Sequence, residues 1–310
     1  MLKTDFFLTI PMKKIKKISI SVPGCIGNVG SGFDCMGISI KLFNKFIFER
    51  SEKFSISVSS SDVDSTRNNL CYKSFEKVCR AFRKKVPVVK LNIDNKIPAG
   101  KGLGSSGTAV LAGIIAGLIF SGEKVTLRKV LKAGKEIEKH LDDIAASFLG
   151  GLVVVAEHNG EIVCKQFEIP SDISAVFFIT EKAFPTDTAR KILPEKVPLS
   201  DAIFNVSRSA LVPVAFSEKN SELLGIALQD RLHQIYRKKV YPHFKILYDS
   251  AMRSGAAGCC LSGAGPSVVA FCFGDTEKLV KDWTEVVRKN KIAGQIRILE
   301  PGGQTTWGIY

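Results

Sequence analysis

The sequence predicts an α+β protein of two domains, on three observations. Its 310 residues exceed what one small core organises. Strand-like and helix-like patterns interleave in both halves. No internal repeat and no low-complexity linker interrupts them. The division falls between Glu157 and Ser171, and we draw it as residues 1–165 and 166–310.

The elements follow in order. Ile18-Ser19-Ile20-Ser21-Val22 alternates apolar and polar with period two, and Pro23-Gly24 is expected to end that strand. Gly24 to Gly32 then reads as a loop carrying four glycines and Asn28, ahead of a second strand-like run from Phe33 to Ile40. Phe54 to Val58 alternates again. After Asn68-Asn69, apolar residues at Leu70, Phe75, Val78, Ala81 and Phe82 keep helical spacing, and Val89 to Ile93 returns to strand. A glycine loop, Pro98 to Ser106, leads into an apolar helix through Ala109 to Phe120. Thr126 is a good N-cap for a further helix reaching about His140. Gly150-Gly151 opens the short apolar strand Leu152 to Val155. The second half supplies a strand at Ala175 to Thr180, a helix around Ala189, helices between Ser200 and Ser250, and a strand from Ser267 to Phe273.

Composition narrows the classes. Hydrophobic residues at 45% and charged residues at 24% describe a folded globular chain, away from disordered or fibrous usage. The formal charge of +14 is spread over scattered lysines; the clusters Lys13 to Lys17 and Arg80 to Lys85 adjoin element ends. No basic stretch is interleaved with aromatics, so the charge reads as a solvated basic surface and no nucleic-acid partner is expected. Eight cysteines without a Cys-x-x-Cys pair or zinc-type Cys/His spacing read as buried thiols in a reducing, cytoplasmic compartment. Cys259 and Cys260, adjacent in a strand-like run, should pack on opposite faces. Ala109 to Phe120 is too short to span a bilayer, so no membrane partner is expected. The first apolar patch is interrupted by Asp5 and Pro11 and is not read as a signal peptide. With the first strand opening near Ile15, either Met1 or Met12 suits the start.

Three segments carry chemistry. Pro98-Ala99-Gly100-Lys101-Gly102-Leu103-Gly104-Ser105-Ser106-Gly107-Thr108 runs directly into a helix. Glycines let main-chain amides approach phosphate oxygens, and a helix N-terminus supplies free amides and partial positive charge. Walker A spacing is absent. Gly102-x-Gly104-x-x-Gly107 matches the dinucleotide fingerprint only formally, because Asn95 to Pro98 separates it from the preceding strand and another helix follows. A nucleotide's phosphates are the better ligand; a glycine turn without a ligand is the plain alternative.

The second segment is Glu138-Lys139-His140-Leu141-Asp142-Asp143. Glu138 lies seven residues after Leu131 and eleven after Leu127, so a continuous helix would put its carboxylate on their apolar face, where it needs a partner such as Mg²⁺. His140 with Asp142 and Asp143 can orient a hydroxyl or take its proton, although acidic surface clusters are also common. The third segment, Leu261-Ser262-Gly263-Ala264-Gly265-Pro266-Ser267, reads equally as a tight turn or as a close approach to the first loop.

Taken with Asn28-Val29-Gly30-Ser31-Gly32-Phe33-Asp34, the first and third segments resemble the three ordered motifs of the GHMP kinase superfamily, closest to the homoserine kinase family, over nearly the whole chain from about Ile18. The resemblance implies an N-terminal ATP-binding domain with a left-handed βαβ crossover and a ferredoxin-like C-terminal domain. It also implies transfer of the γ-phosphate of ATP to the side-chain hydroxyl of L-homoserine in threonine biosynthesis. Pro98, Gly100, Lys101, Gly102, Leu103, Gly104, Ser105, Ser106, Gly107 and Thr108 would hold ATP, and Ser106 and Glu138 would hold Mg²⁺. Asn28, Asp34, His140 and Thr186 would line the amino-acid pocket; Arg190 and Arg237, from Thr186-Asp187-Thr188-Ala189-Arg190 and Asp230 to Arg237, would clamp the carboxylate. Glu138 and Arg190 would also serve catalysis, and a homodimer is implied. The chain departs from the family's usual pattern at Ser31, where proline is usual, and at His140-Leu141-Asp142-Asp143 against His-Pro-Asp-Asn. Asp143 stands where sugar and mevalonate kinases of the superfamily place a catalytic aspartate. It is expected either to accept the substrate's hydroxyl proton or to mark a different small alcohol or amino acid as acceptor.

Overall fold

The computed structural model describes residues 15–138 and 140–310. Met1, Met12 and Lys13-Lys14 lie outside the described residues. In chain order the elements are β1 Lys17–Gly27, β2 Met36–Arg50, β3 Ser55–Val58, α1 Leu70–Ala81, β4 Val89–Asp94, α2 Ser105–Phe120, α3 Leu127–Ile137, α4 Asp142–Leu149, β5 Leu152–His158, β6 Glu161–Phe167 and β7 Ile173–Thr180. There follow α5 Thr186–Lys191, α6 Leu199–Ser217, α7 Ser221–Ala227, α8 Gln234–Arg237, α9 Pro242–Arg253, β8 Gly258–Leu261, β9 Val268–Phe273, α10 Glu277–Lys289, β10 Gly294–Leu299 and β11 Thr306–Ile309.

One sheet runs β11-β1-β2-β4-β3, with β5 beside β2 and β6 beside β5. β3 and β4 are parallel and α1 connects them, which makes the βαβ crossover. α2 is apolar on every side because it is covered on every side, by the sheet and by α1. Its glycines permit that contact: a Cβ on Gly113 would come within 2.2 Å of the Cys71 carbonyl oxygen.

The second sheet runs β10-β7-β9-β8, all antiparallel, and with α9 and α10 it gives the βαββαβ order of a ferredoxin-like unit. Its strands bury both faces. Val176, Phe178 and Cys259 join Trp283 and Leu247 in one core, whereas Phe177, Ile179, Phe271 and Cys260 join Ile38, Leu103 and Phe216 in another. Cys259 and Cys260 therefore do pack on opposite faces. Six cysteines are buried, and Cys35 and Cys164 are half-buried. Sheet membership changes between Phe167 and Ile173, and the chain returns to the first sheet at its end, where β11 pairs with β1. Among the described residues no helix is long and apolar enough to cross a membrane.

Two expectations are corrected. Pro23-Gly24 does not end β1: the register against β2 slips between those residues, and this irregularity absorbs the missing proline donor. Thr126 does cap α3, accepting from the Lys129 amide, but the helix stops at Ile137. Glu138 is already extended, with φ −120° and ψ 145°, so it is not on the apolar face of Leu127 and Leu131. The acidic pair Asp142-Asp143 instead heads a separate helix, α4, where carboxylates face the favourable end of the helix dipole. β6, α10, β10 and β11 have no counterpart in the reading of the sequence.

Candidate active site

The glycine loop is held against the molecule by main-chain contacts. The Cys25 amide donates to the Leu103 carbonyl at 3.1 Å and the Phe184 amide to the Gly100 carbonyl at 2.9 Å. The Ser262 hydroxyl donates to the Gly102 carbonyl at 2.6 Å. Gly102 has φ +79°, and a Cβ there would fall 2.2 Å from the Ser262 carbonyl oxygen, so the loop comes this close to the third glycine segment only because Gly102 carries no side chain. Gly104, at φ 76°, is the N-cap of α2, which leaves the first amides of the helix without intrahelical acceptors.

Ser106, on the first turn of α2, donates its hydroxyl to Glu138 Oε1 at 3.2 Å. Burial pushes the Glu138 carboxyl above its usual range, and the serine bond only partly offsets it. An anionic oxygen donor short of positive charge, beside a hydroxyl, fits a hard cation such as Mg²⁺. Among the described residues there is no cluster of three or more metal-ligating side chains, so an ion here needs oxygens from elsewhere, such as phosphates.

Opposite the loop stands a cluster of charged side chains. Arg190 grips Asp34 with two parallel bonds, of 3.0 and 2.7 Å, and His140 Nδ1 lies 3.1 Å from the same carboxylate. Burial would raise Asp34, but His140 and Arg190 together outweigh it and hold the carboxyl down at about 2. Asn28 and Asp34 both have positive φ, 52° and 56°, and the turn is tied by the Asp34 amide donating to Asn28 Oδ1 at 2.8 Å. The Asn28 amide donates to Asp142 Oδ2 at 3.1 Å, joining this turn to the head of α4. Burial raises both Asp142, well above its usual range, and Asp143, to which the Cys25 thiol donates at 3.0 Å.

Arg237 is almost wholly buried. It donates through Nε to the Ala189 carbonyl at 3.4 Å and through Nη1 to the Gly263 carbonyl at 3.3 Å, and Nη1 lies 3.0 Å from His233 Nδ1. Burial lowers it to about 10. Phe33 spaces the two arginines, whose guanidinium carbons stand 5.4 and 5.5 Å from its ring centre. The whole turn is braced from α6, where Asn205 and Ser209 both donate to the Ser31 carbonyl.

One cleft gathers most of the residues singled out in the sequence: Pro98, Gly100, Gly102, Gly104, Ser105 and Ser106 on one side, with Asn28, Asp34, His140, Asp143, Thr186, Arg190 and Arg237 around the other. Lys101, Leu103, Gly107, Thr108 and Glu138 are not among its lining residues. The Leu103 side chain anchors the loop in the core. The Thr108 hydroxyl donates to the Ser105 carbonyl at 2.7 Å and accepts from Asn44 at 3.0 Å. Gly107 packs against Asp143, with a Cβ there 3.3 Å from that of the aspartate. The contacts of Asp142, Phe33, Ser262 and Cys25 are not assigned from sequence. Those of Asp142, Cys25 and Ser262 reach across 114 residues or more, which no local pattern announces.

Comparison with known proteins identifies the family. Residues 69–151 match the family model of the GHMP kinase N-terminal domain, and residues 214–289 match that of the GHMP kinase C-terminal region. A homoserine kinase of Aquifex aeolicus is 38% identical over 274 residues, covering 88% of this chain and 92% of that protein. One from Caldicellulosiruptor bescii is 36% identical, covering 82% and 84%. The crystal structure of a homoserine kinase from Cytophaga hutchinsonii superposes with a TM-score of 0.82 at 21% identity, covering 98% of this chain and all of the other, a likeness of fold.

Proposed function

The chain belongs to the homoserine kinases of the GHMP kinase family, and from that membership we propose that it transfers the γ-phosphate of ATP to the side-chain hydroxyl of L-homoserine, a step of threonine biosynthesis. The observation that carries the proposal is the two-sided cleft. A main-chain anion cradle at the head of α2 faces a carboxylate and two arginines set for a zwitterion.

The two sides divide the work. Amides of the glycine loop and of the first turn of α2 bind the phosphates of ATP and orient the γ-phosphoryl group. Asp34 takes the ammonium group of the amino acid. Arg190 and the buried Arg237 take its carboxylate, with Arg190 exchanging part of its grip on Asp34 for the incoming anion. The zwitterion thus replaces an ion pair of the same two signs, and neither charge is left unpaired in the cleft. Asn28, His140 and Thr186 complete the acceptor wall. Ser106 and Glu138 would hold Mg²⁺, which when bound neutralises charge on the phosphates.

Asp143 stands at the cleft on the first turn of α4 with its proton affinity raised by burial, which suits a group that accepts the hydroxyl proton of the acceptor. Phosphoryl transfer proceeds largely by positioning and charge stabilisation, so the base adds to that. Asp143→Asn should lower kcat by about a hundredfold. The homodimer belongs to the same proposal. Leu199, Ile203, Val206, Ala210 and Val214 form an exposed apolar stripe along α6, which favours self-association.

The test is Mg²⁺-dependent release of ADP with L-homoserine, L-threonine, L-serine, mevalonate and galactose offered separately, on material whose mass is read by light scattering. L-homoserine should be strongly preferred and the mass should be that of a dimer. Preference for mevalonate or galactose would overturn the acceptor and make Asp143 the mark of a different substrate.

A further inference from the structure

Cys25 has no part in the steps above, yet it touches both sides of the reaction. It is buried on β1, and its thiol donates to Asp143 Oδ1 at 3.0 Å. Its sulfur also packs against the N-cap of α2 and neighbours the Ser147 side chain: a Cβ on Gly104 would come within 2.3 Å of Cys25 Sγ. The Cys25 amide holds the Leu103 carbonyl one residue earlier in the same loop. One residue therefore connects the phosphate loop with the carboxylate at the head of α4.

The same oxygen of Asp143 is enclosed from a second direction. A Cβ on Gly27 would fall 2.3 Å from Asp143 Oδ1, so the carboxylate lies directly against the main chain of β1. With Oδ1 confined between the Cys25 thiol and Gly27, and the neighbouring Asp142 Oδ2 engaged by the Asn28 amide, Asp143 Oδ2 is the oxygen left to serve the cleft. A carboxylate that could rotate would present either oxygen and lose alignment with the transferring group; a hydrogen bond to one oxygen removes that freedom.

We propose that Cys25 is the positioning residue for Asp143: its S–H fixes which carboxylate oxygen meets the acceptor's hydroxyl and keeps that oxygen in register with the phosphate loop. This rests on the reading of Asp143 as the base. No proton is exchanged with the thiol, which remains S–H throughout.

The experiment compares Cys25→Ala, Cys25→Ser, Asp143→Asn and the double variant Cys25→Ala/Asp143→Asn in the full-length protein, with kcat and KM measured for ATP and for L-homoserine and folding followed by thermal melting. Cys25→Ala should lower kcat about tenfold, the order of loss expected when a reacting group is misplaced slightly, with KM for ATP little changed. Cys25→Ser, which retains a donor, should recover most of it. In the Asp143→Asn background, Cys25→Ala should cost nothing further, because the group it positions is gone. Full kcat in Cys25→Ala alongside a slow Asp143→Asn overturns the proposal. So does a loss confined to KM for ATP that persists in the double variant, the signature of a purely structural role beneath Gly104. Full activity in Asp143→Asn overturns the base reading itself, and the single Asp143 variant tells that failure apart from the failure of Cys25 alone. If Cys25→Ala does not fold, Cys25→Ser with kcat no better than Asp143→Asn overturns the proposal, and near-native kcat supports it.

Discussion

On the proposed nucleotide side the cleft is lined from one run of sequence, Pro98 to Ser106, while the proposed acceptor side draws Asp34, His140, Arg190 and Arg237 from four separate segments. Phosphates need many donors close together, and consecutive amides in a glycine loop leading into a helix provide them locally. A small zwitterion needs two opposite charges, and here they come from distant segments that pair with each other, Arg190 with Asp34. The acceptor side therefore depends on the packing of the two sheets, with Arg190 reaching Asp34 across 156 residues.

The comparison predicts unequal sensitivity to small changes. The largest effect belongs to Gly102→Ala. Its backbone is left-handed at φ +79°, which costs a residue with a side chain about 1–3 kcal/mol, and the new methyl would also sit 2.2 Å from the Ser262 carbonyl oxygen. One methyl should therefore reduce kcat/KM for ATP by at least about a hundredfold. Steady-state kinetics together with a melting curve read it. ATP turnover at the full rate would break the account of this side as a main-chain device.

The same contrast explains what the sequence disclosed. The glycine loop, the helix behind it and most strands were legible because their signals are local: spacing of glycines, period-two alternation, the Thr126 cap. The heads of helices were less so. Glu138 continues the apolar period of α3 on paper, yet the chain leaves the helix at Ile137 so that Glu138 can meet Ser106. The available clue was Asp142-Asp143 before Ile144-Ala145-Ala146, an acidic first turn that marks a new helix. Only the family resemblance points to Arg190 and Arg237. A lone arginine in a helix end has no pattern that separates it from a surface charge, and its burial is a property of the fold.

A change at the acceptor side should be smaller and confined to one substrate. In Arg190→Lys the charge survives but the fork that makes two parallel bonds does not. Losing one charge-assisted hydrogen bond costs about 1.5–3 kcal/mol, so KM for L-homoserine should rise roughly 10- to 100-fold while KM for ATP stays within about twofold. An equal rise in both would remove the division of the cleft into two independently built sides.

The smallest effect is on stability, and here the carboxylates around the cleft differ in sign. Asp34 is held at about 2 against an ordinary 3.8. Its contribution is therefore complete above pH 3.8 and is lost as pH falls through about 2. At face value that depression is worth roughly 2 kcal/mol, and with the Asp34 side chain 29% exposed, solvent screening reduces it to about 1 kcal/mol. Glu138, Asp142 and Asp143 move the other way. Their folded carboxyls hold protons more tightly than the unfolded chain does, so their burial penalty, present near neutrality, is relieved as pH falls. Denaturant unfolding from pH 7 to pH 2 should therefore show stability rising on mild acidification and then falling below pH 4. In Asp34→Asn the final fall should be about 1 kcal/mol shallower, while the earlier rise persists. A variant with the native slope below pH 4 would mean that the ion pair with Arg190 and His140 does not hold the acceptor side together in the absence of substrate.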